Sequence, residues 1–384
     1  MYAQTKDWKE LPERSITWHQ ALALLRENNL ELREATDRIR QAERRSMSIY
    51  TDMIPGVSFY GFMTRYVSDL TKSVSSNEFT SNVNVTFSIP TLTQVPYRVY
   101  SSKITTYAEI KAKEGREREL ISKLYQLVRM REIEDAKRAL GEKQLDMPRE
   151  MDKQQLVQRR QSDEKYWQEV SRLLGSRAAR WYIMPESMPR VRWEDYSPLL
   201  DKPGELVVCE FAMRLERARL AQYGVALTYL PTINTNLYSP ALFSSSGGTY
   251  QGTFLDANDT RLNLNISYWL DTHLSTWDLY QDNKASYERE KLRVLDGLMD
   301  HKNKVRQLRD SMLEYTAWRS YMLKRMAYLR SSTPEGSAAL LEQVKTLGAM
   351  EMELLNQESS AVEAEAAAVL EYGMPDELEK TKKS

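Results

Sequence analysis

The chain has 384 residues, and its 54 Lys+Arg are matched by 54 Asp+Glu, so net charge gives no reason to expect nucleic acid or an acidic substrate. With a mean hydropathy of −0.60 and no apolar run of ~18 residues, no transmembrane helix is expected. Cys209 is the single cysteine, which excludes an intrachain disulfide and a multi-cysteine metal site.

The first residues, MYAQTKDWKELPERS, lack the apolar stretch of a signal peptide. Either the chain never enters a secretion route or its numbering starts after processing. From Ile16 to Pro55 the sequence reads as helix, with Ala21, Leu24, Leu25, Leu32, Ala35, Ile39 and Ala42 near a 3.6-residue period. Asn28-Asn29 predicts a break between a short helix and a long one. A β-hairpin is predicted over 55–90. Its first strand is the aromatic PGVSFYGFMTRY; its second is NVNVTFSIP, where Val83, Val85, Phe87 and Ile89 alternate with Asn82, Asn84, Thr86 and Ser88.

A helical hairpin is predicted over 95–174. Its first arm runs from about Val95 to Leu145, on the order of 75 Å. It turns at Asp146-Met147-Pro148 and returns to about Leu174. The stretch 181–204, WYIMPESMPRVRWEDYSPLLDKPG, is rich in proline yet too aromatic for a flexible linker, so it predicts a packed irregular connector.

The same programme then repeats. Pro231 ends a helix as Pro55 does. Aligning these prolines sets Glu34 on Glu210, Arg38 on Arg214, Ile39 on Leu215, Ala42 on Ala218 and Ile54 on Leu230. A second β-hairpin is predicted over 231–270, with Ile233, Thr235 and Leu237 alternating against Asn234, Asn236 and Tyr238. In its second strand, Leu262, Leu264 and Ile266 oppose Asn263, Asn265 and Ser267. A helical hairpin follows over 272–372, with its turn in SSTPEGS. The expected domains are a first repeat over 1–180, the connector over 181–204, a second repeat over 205–373, and a polar tail over 374–384.

The fold class is therefore α+β, made mainly of long α-helices, with a duplicated helix-strand-strand-helix-helix repeat. Four strands per chain cannot close a barrel, and an open sheet leaves two bare edges. Strands of about ten residues with one apolar face and one Asn/Ser/Thr face are the pattern of a transmembrane β-barrel. Closure then requires several chains, and three would give a trimeric barrel of roughly 12 strands. The alternative is a soluble coiled-coil scaffold or adaptor protein with one small hairpin per repeat and no transport role.

The order of these pieces resembles the TolC family of outer-membrane efflux proteins. ITWHQALALLRENNLELREATDRIRQAERR is similar to the family's first helix, MIPGVSFYGF and YLPTINTNLY to its helix-to-strand passages, and GSAALLEQVKTLGAMEMELLNQESSAVEAEAAAVLEYG to its last helix. The resemblance implies a homotrimer with a β-barrel in outer-membrane lipid and a periplasmic α-helical barrel. It implies a passive export duct of a tripartite efflux or type I secretion system, served by a periplasmic adaptor and an inner-membrane pump.

On that resemblance, Val83, Val85, Phe87, Ile89, Leu262, Leu264 and Ile266 face lipid. Asn82, Asn84, Thr86, Asn263 and Asn265 face the lumen. Asp146, Met147, Pro148, Gly336 and Ser337 form adaptor-facing tips, and Glu342 stands where the family places an acidic pore gate. Lys345 departs from a second acid there and weakens a cation-selective field.

No catalytic constellation is present, so no enzyme and no cofactor are expected. His19, His273 and His301 lack ligand spacing for a metal, and His301 reads as a surface pair with Asp300. SSSGGT at 244–249 lacks the lysine of a phosphate loop. GREREL reads as solvent-facing helix charge. Tyr60, Phe62, Tyr66, Tyr268 and Trp269 fit either an interfacial aromatic belt or packing at the strand–helix junction.

Overall fold

The computed structural model describes residues 11–51, 56–67, 74–144, 153–176, 178–200, 202–227, 232–239, 244–246, 249–251, 261–267, 275–332 and 337–375; along the sheet strands and at some helix ends it describes the backbone alone. The chain begins with β1 (Glu13–Ile16), α1 (Trp18–Asn28), α2 (Leu30–Thr51), β2 (Gly56–Val67) and β3 (Val74–Ser88). Next come α3 (Ile89–Gln144), α4 (Lys153–Leu174), β4 (Arg180–Ile183), a 3₁₀ turn (Pro185–Ser187), α5 (Trp193–Tyr196) and α6 (Glu205–Ala226). It finishes with β5 (Thr232–Ser239), β6 (Ser244–Ser246), β7 (Thr249–Gln251), β8 (Arg261–Ser267), α7 (Ser275–Ser331) and α8 (Ser337–Tyr372). By compactness it divides into one unit of Met1–Arg38, Ala108–Ala212 and Val294–Ser384, and another of Ile39–Tyr107 and Met213–Arg293.

The first unit is helical around a single large core. Trp18, Leu25, Leu124, Tyr125, Val170, Leu174, Ile183, Tyr196, Leu200 and Val369 are all buried there. Thr17 starts α1 with a capping box: its hydroxyl accepts from Gln20 N, and the Gln20 side chain accepts from Thr17 N. Asn29 makes the predicted break. Its Oδ1 accepts from Glu31 N at 2.9 Å and Leu32 N at 3.3 Å, capping α2, while its Nδ2 donates to Leu173 O at 2.8 Å. Gly175 ends α4 in a Schellman turn, with Gly175 N on Arg172 O at 3.2 Å and Ser176 N on Ser171 O at 3.1 Å. Its φ of 63° is left-handed, and a Cβ there would collide with the Asn28 carbonyl.

Within this unit α7 shows strict coiled-coil spacing. Val294, Leu298, His301, Val305, Leu308, Met312, Tyr315, Arg319, Met322, Met326 and Leu329 follow one another in alternating steps of four and three. All but Arg319 are buried or half-buried. Met322 and Met326 pack with Met350 of α8, flanked by Trp318, Leu329, Leu347 and Leu354. Toward its C-terminus α8 turns alanine-rich, and Ala361, Ala366 and Ala368 are buried. Small side chains there let α8 approach α3 closely enough for Ser122 Oγ to donate to Ala366 O at 2.6 Å.

The connector is packed, as expected: Trp181, Ile183, Met188, Val191, Tyr196 and Leu200 join the core. Sequence reading missed its strand, β4, which pairs in parallel with β1 through Glu13↔Arg180 to Ile16↔Ile183. Three other expectations are corrected. The helix expected from Val95 starts at Ile89 and carries Pro96 inside it. Ile89 is therefore the first helical residue, not a strand position; Pro90 is tolerated because first-turn N–H groups have no intrahelical partner anyway. GREREL is not merely a solvated face: Arg116 Nη2 pairs with Glu31 at 2.6 Å, Glu117 with Arg26 at 2.6 Å, and Arg118 donates to Glu371 O at 3.1 Å. His301 pairs with Glu371 at 2.7 Å, not with its chain neighbour Asp300.

The second unit holds an antiparallel sheet. β3 pairs β2 on one edge and β5 on the other, and β5 pairs β8. The short β6–β7 hairpin, unforeseen in the Ser/Gly-rich loop, pairs with β3 at Phe79↔Ser245 and Thr80↔Ser244. Among the helical stretches of this unit, Tyr100 OH meets Glu216 at 3.2 Å, Gln222 Nε2 meets Tyr280 OH at 3.3 Å, and Trp277 stacks on Tyr280.

Candidate functional site

Three places carry the features from which a role can be argued, and the first is the sheet. Its register joins Val57, Val85, Leu237 and Leu262 in one row across β2, β3, β5 and β8. The next row is Gly56, Thr86, Asn236 and Asn263; the row on the other side is Ser58, Asn84, Tyr238 and Arg261. Because alternate positions share a face, Val83, Val85 and Phe87 of β3 fall on the same face as Ile233 and Leu237 of β5 and Leu262, Leu264 and Ile266 of β8. Asn82, Asn84 and Thr86 share the opposite face with Asn234, Asn236, Asn263 and Asn265. The alternation seen separately in each strand thus stays in phase across the sheet. The orientation of these side chains lies outside the described residues. Among those residues the outer edges of β2 and β8 have no partner strand.

The second place is where α7 gives way to α8. Glu342 and Lys345 both stand exposed on the first turns of α8, with no ion pair between them. Ser337 opens α8, whereas Asp146, Met147, Pro148 and Gly336 lie outside the described residues. Sequence reading overlooked Gln343, between the two charges. Its Nε2 donates to Leu329 O, to Ser332 O at 3.0 Å and to Ser332 Oγ at 3.2 Å, adding to the 2.8 Å bond from Ser332 Oγ on Leu329 O and supplying the carbonyl just past the end of α7. Arg330 adds a 2.6 Å pair to Glu351. The end of α7 is thus braced by a glutamine, a residue type with no turn signature, while residues 333–336 of the predicted turn lie outside the described residues.

The third place is a knot of charge joining α3, the connector and α8, with Arg129 and Glu365 buried, Glu132 and Glu358 half-buried and Arg190 exposed. Arg129, 3% exposed, donates to Glu132 and Glu358 at 2.6 Å each and lies 3.5 Å from Glu365 through Nε. Arg190 of the connector reaches Glu132, and Glu358 at 3.9 Å. Tyr125 OH donates to Glu365 at 2.7 Å and accepts from Val191 N at 3.4 Å. Burial raises the Glu365 carboxyl above its ordinary range, although Arg129 and the Tyr125 hydroxyl partly oppose it. Burial and Glu365 together push the Tyr125 phenol up as well. The knot borders a groove of about 960 Å³ that Tyr315 and Arg319 of α7 also line, and burial pushes Tyr315 up to about 12. Among the described residues no cluster of His, Cys, Asp and Glu could hold a metal ion.

Comparison with known proteins separates sequence from fold. No family model and no curated protein match the sequence. Among solved structures, the channel CusC superposes with a TM-score of 0.65 at 14% identity, covering 97% of this chain and 96% of that one. The chain has the TolC-family fold.

The outer-membrane protein VceC of Vibrio cholerae superposes with a TM-score of 0.63 at 10% identity, over 93% of this chain and 96% of its own. The outer-membrane channel CmeC of Campylobacter jejuni reaches 0.60 at 14% identity, over 95% and 89%. The likeness spans helices and strands alike. No described helix is long and apolar enough to cross a membrane.

Proposed function

We propose that the chain is a passive outer-membrane export duct, one of three identical subunits whose sheets close into a single barrel of roughly 12 strands. The observation that carries this reading is the phase of the sheet. Across β3, β5 and β8 the register gathers Val83, Val85, Phe87, Ile233, Leu237, Leu262, Leu264 and Ile266 on one face and the asparagines on the other. Tyr60, Phe62, Tyr238 and Arg261 lie on the asparagine face and Thr235 on the apolar one; among the described residues the outer edges of β2 and β8 have no partner strand. An open edge is not tolerated in hydrocarbon, so closure by further copies is the physical solution. The fold, shared with outer-membrane channels, supports the same reading.

The helical unit supports assembly independently. Leu295, Met299 and Leu313 of α7, 52%, 69% and 42% exposed, stand off its buried seam in the single chain. Met299 and Leu313 are two heptads apart, which makes them a stripe that neighbouring subunits can cover. In this proposal Val83, Val85, Phe87, Leu262, Leu264 and Ile266 meet lipid, while Asn82, Asn84, Thr86, Asn263 and Asn265 meet the water of the lumen. The helical unit extends into the periplasm, and its two hairpin turns receive a periplasmic adaptor that couples the duct to an inner-membrane pump. Glu342 lines the narrow end, its field softened by Lys345.

The test is expression behind a secretion signal, followed by membrane fractionation and electrophoresis with and without heating. A heat-modifiable trimer in the outer membrane, conducting ions in a planar bilayer, is the expected result. A fully soluble monomer overturns the proposal.

A further inference from the structure

The knot sits in a groove that Arg192, Glu194, Arg319 and Lys324 also line, so its carboxylates differ in how directly they are paired rather than in a surplus of charge. Three carboxylates, Glu132, Glu358 and Glu365, converge on two guanidiniums, Arg129 and Arg190. The three are not equally served. Glu132 takes a hydrogen bond from each arginine, and Glu358 takes one from Arg129 with Arg190 nearby. Glu365 has neither. Its only guanidinium contact is the 3.5 Å approach of Arg129 Nε, and that nitrogen has no hydrogen-bond partner at all. The Tyr125 hydroxyl is its single donor, yet Glu365 is the most buried of the three, 9% exposed.

We propose that Glu365 is a proton-binding switch: it is the carboxylate of the knot that neither arginine hydrogen-bonds, and a proton taken there removes a poorly paired buried charge where α8 meets α3.

Each contact around the carboxyl fits this role. The Tyr125 hydroxyl can keep donating to a neutral carboxyl, so the bridge from α3 survives protonation. Arg129 keeps its bonds to Glu132 and Glu358, so no cation is orphaned. The groups that face the carboxyl are Tyr125, Arg129 and Glu132 from α3, Arg190 from the connector, Glu358 from α8 itself, and Tyr315 and Arg319 from α7 across the groove. Arg192 and Glu194 of the connector and Lys324 of α7 line the same groove.

The sign of the linkage follows from the raised proton affinity of the folded state. A carboxyl held low by a salt bridge loses its stabilising contribution as pH falls. Glu365 behaves in the opposite way. Relative to the unfolded chain, its contribution is most favourable below the ordinary glutamate value of about 4.3. It declines as pH rises from there through the higher folded value. Acidification therefore firms this part of the wall while it loosens ordinary ion pairs. The biological setting rests on the duct reading, because a periplasmic wall meets the pH of the surroundings. The switch itself needs only the knot.

The test uses the full chain in detergent, wild type and Glu365→Gln, the uncharged isostere. Thermal unfolding is followed by circular dichroism from pH ~8 down to pH ~5. At the upper end the variant melts at or above the wild type. The gap then shrinks by several degrees as the wild type takes its proton, and an infrared carboxylic-acid band grows in the wild type and not in the variant. A gap that stays constant with pH, or a band that grows equally in both, overturns the proposal. Should Glu365→Gln fail to fold, the infrared titration of Tyr125→Phe decides. Removing a donor to the ionised carboxyl moves the midpoint upward, and an unmoved midpoint overturns the assignment. These readouts do not depend on transport, so loss of the duct reading and loss of the switch are separately visible.

Discussion

Replacing Asn29 by alanine removes two kinds of hydrogen bond at one buried position. The side-chain oxygen caps α2 by accepting from Glu31 N and Leu32 N, and a cap of this kind is worth about 1 kcal/mol. The side-chain nitrogen supplies the Leu173 carbonyl near the end of α4, and a buried carbonyl left without its donor costs about 1–3 kcal/mol. Together Asn29→Ala is expected to destabilise the helical unit by about 2–4 kcal/mol. Asn29→Ser separates the two effects, because serine caps but cannot reach back to Leu173; it is expected to be milder by about 1 kcal/mol. Denaturant midpoints of the detergent-solubilised protein give the global effect. Hydrogen exchange in the peptide spanning α1 and α2 gives the local one, where ~1.4 kcal/mol corresponds to about tenfold faster opening. Equal effects for Ala and Ser, or effects below ~0.5 kcal/mol for both, would show that the double role drawn from the geometry is wrong.

Gly175→Ala places a Cβ at φ 63° and against the Asn28 carbonyl, so it is expected to destabilise by more than ~1 kcal/mol, measured as a lower denaturant midpoint. Val85→Asp and Leu264→Asp, on the apolar face of the sheet, are expected to cost roughly 2 kcal/mol or more near a bilayer midplane and to deplete the membrane trimer on heat-modifiability gels. Asn84→Asp on the opposite face is expected to leave the trimer unchanged, and equal depletion by all three contradicts the facial sorting. Gln343→Leu strips donors from Leu329 and Ser332, so exchange at the C-terminal end of α7 is expected to rise about tenfold, while exchange around Met312 stays as it was.

Much of the architecture could be read from the residues because the signals were periodic. The alternation in NVNVTFSIP and RLNLNIS became the strands β3 and β8, and Asn28-Asn29 became a helix break for the reason that favours asparagine at caps. What escaped was short, non-local or both. β1 and β4 are 4 residues each and pair across more than half the first repeat, so neither ERSI nor RWYI carries an alternation worth noticing. α3 begins six residues before the expected Val95 and continues through Pro96, a residue that ordinarily weighs against helix. The Arg129 knot lay hidden in sequence that reads as ordinary helix charge. Only the packing of α8 and the connector against α3 separates its buried carboxylate, Glu365, from the many exposed ones. Gln343 was invisible for a similar reason: its partners are backbone carbonyls, which every sequence supplies.

The four-and-three rhythm of α7 bears on how a chain of this kind can change in length. Each residue advances an α-helix by about 100°. Deleting one residue between Val294 and Leu329 would therefore swing every later seam position a quarter-turn off its partners, with Met322 and Met326 turned away from Met350. A deletion of seven restores the phase at the cost of roughly 10 Å of reach. The length of this helix is thus quantised: related chains can grow or shrink by heptads, and other changes must be taken up at the turns.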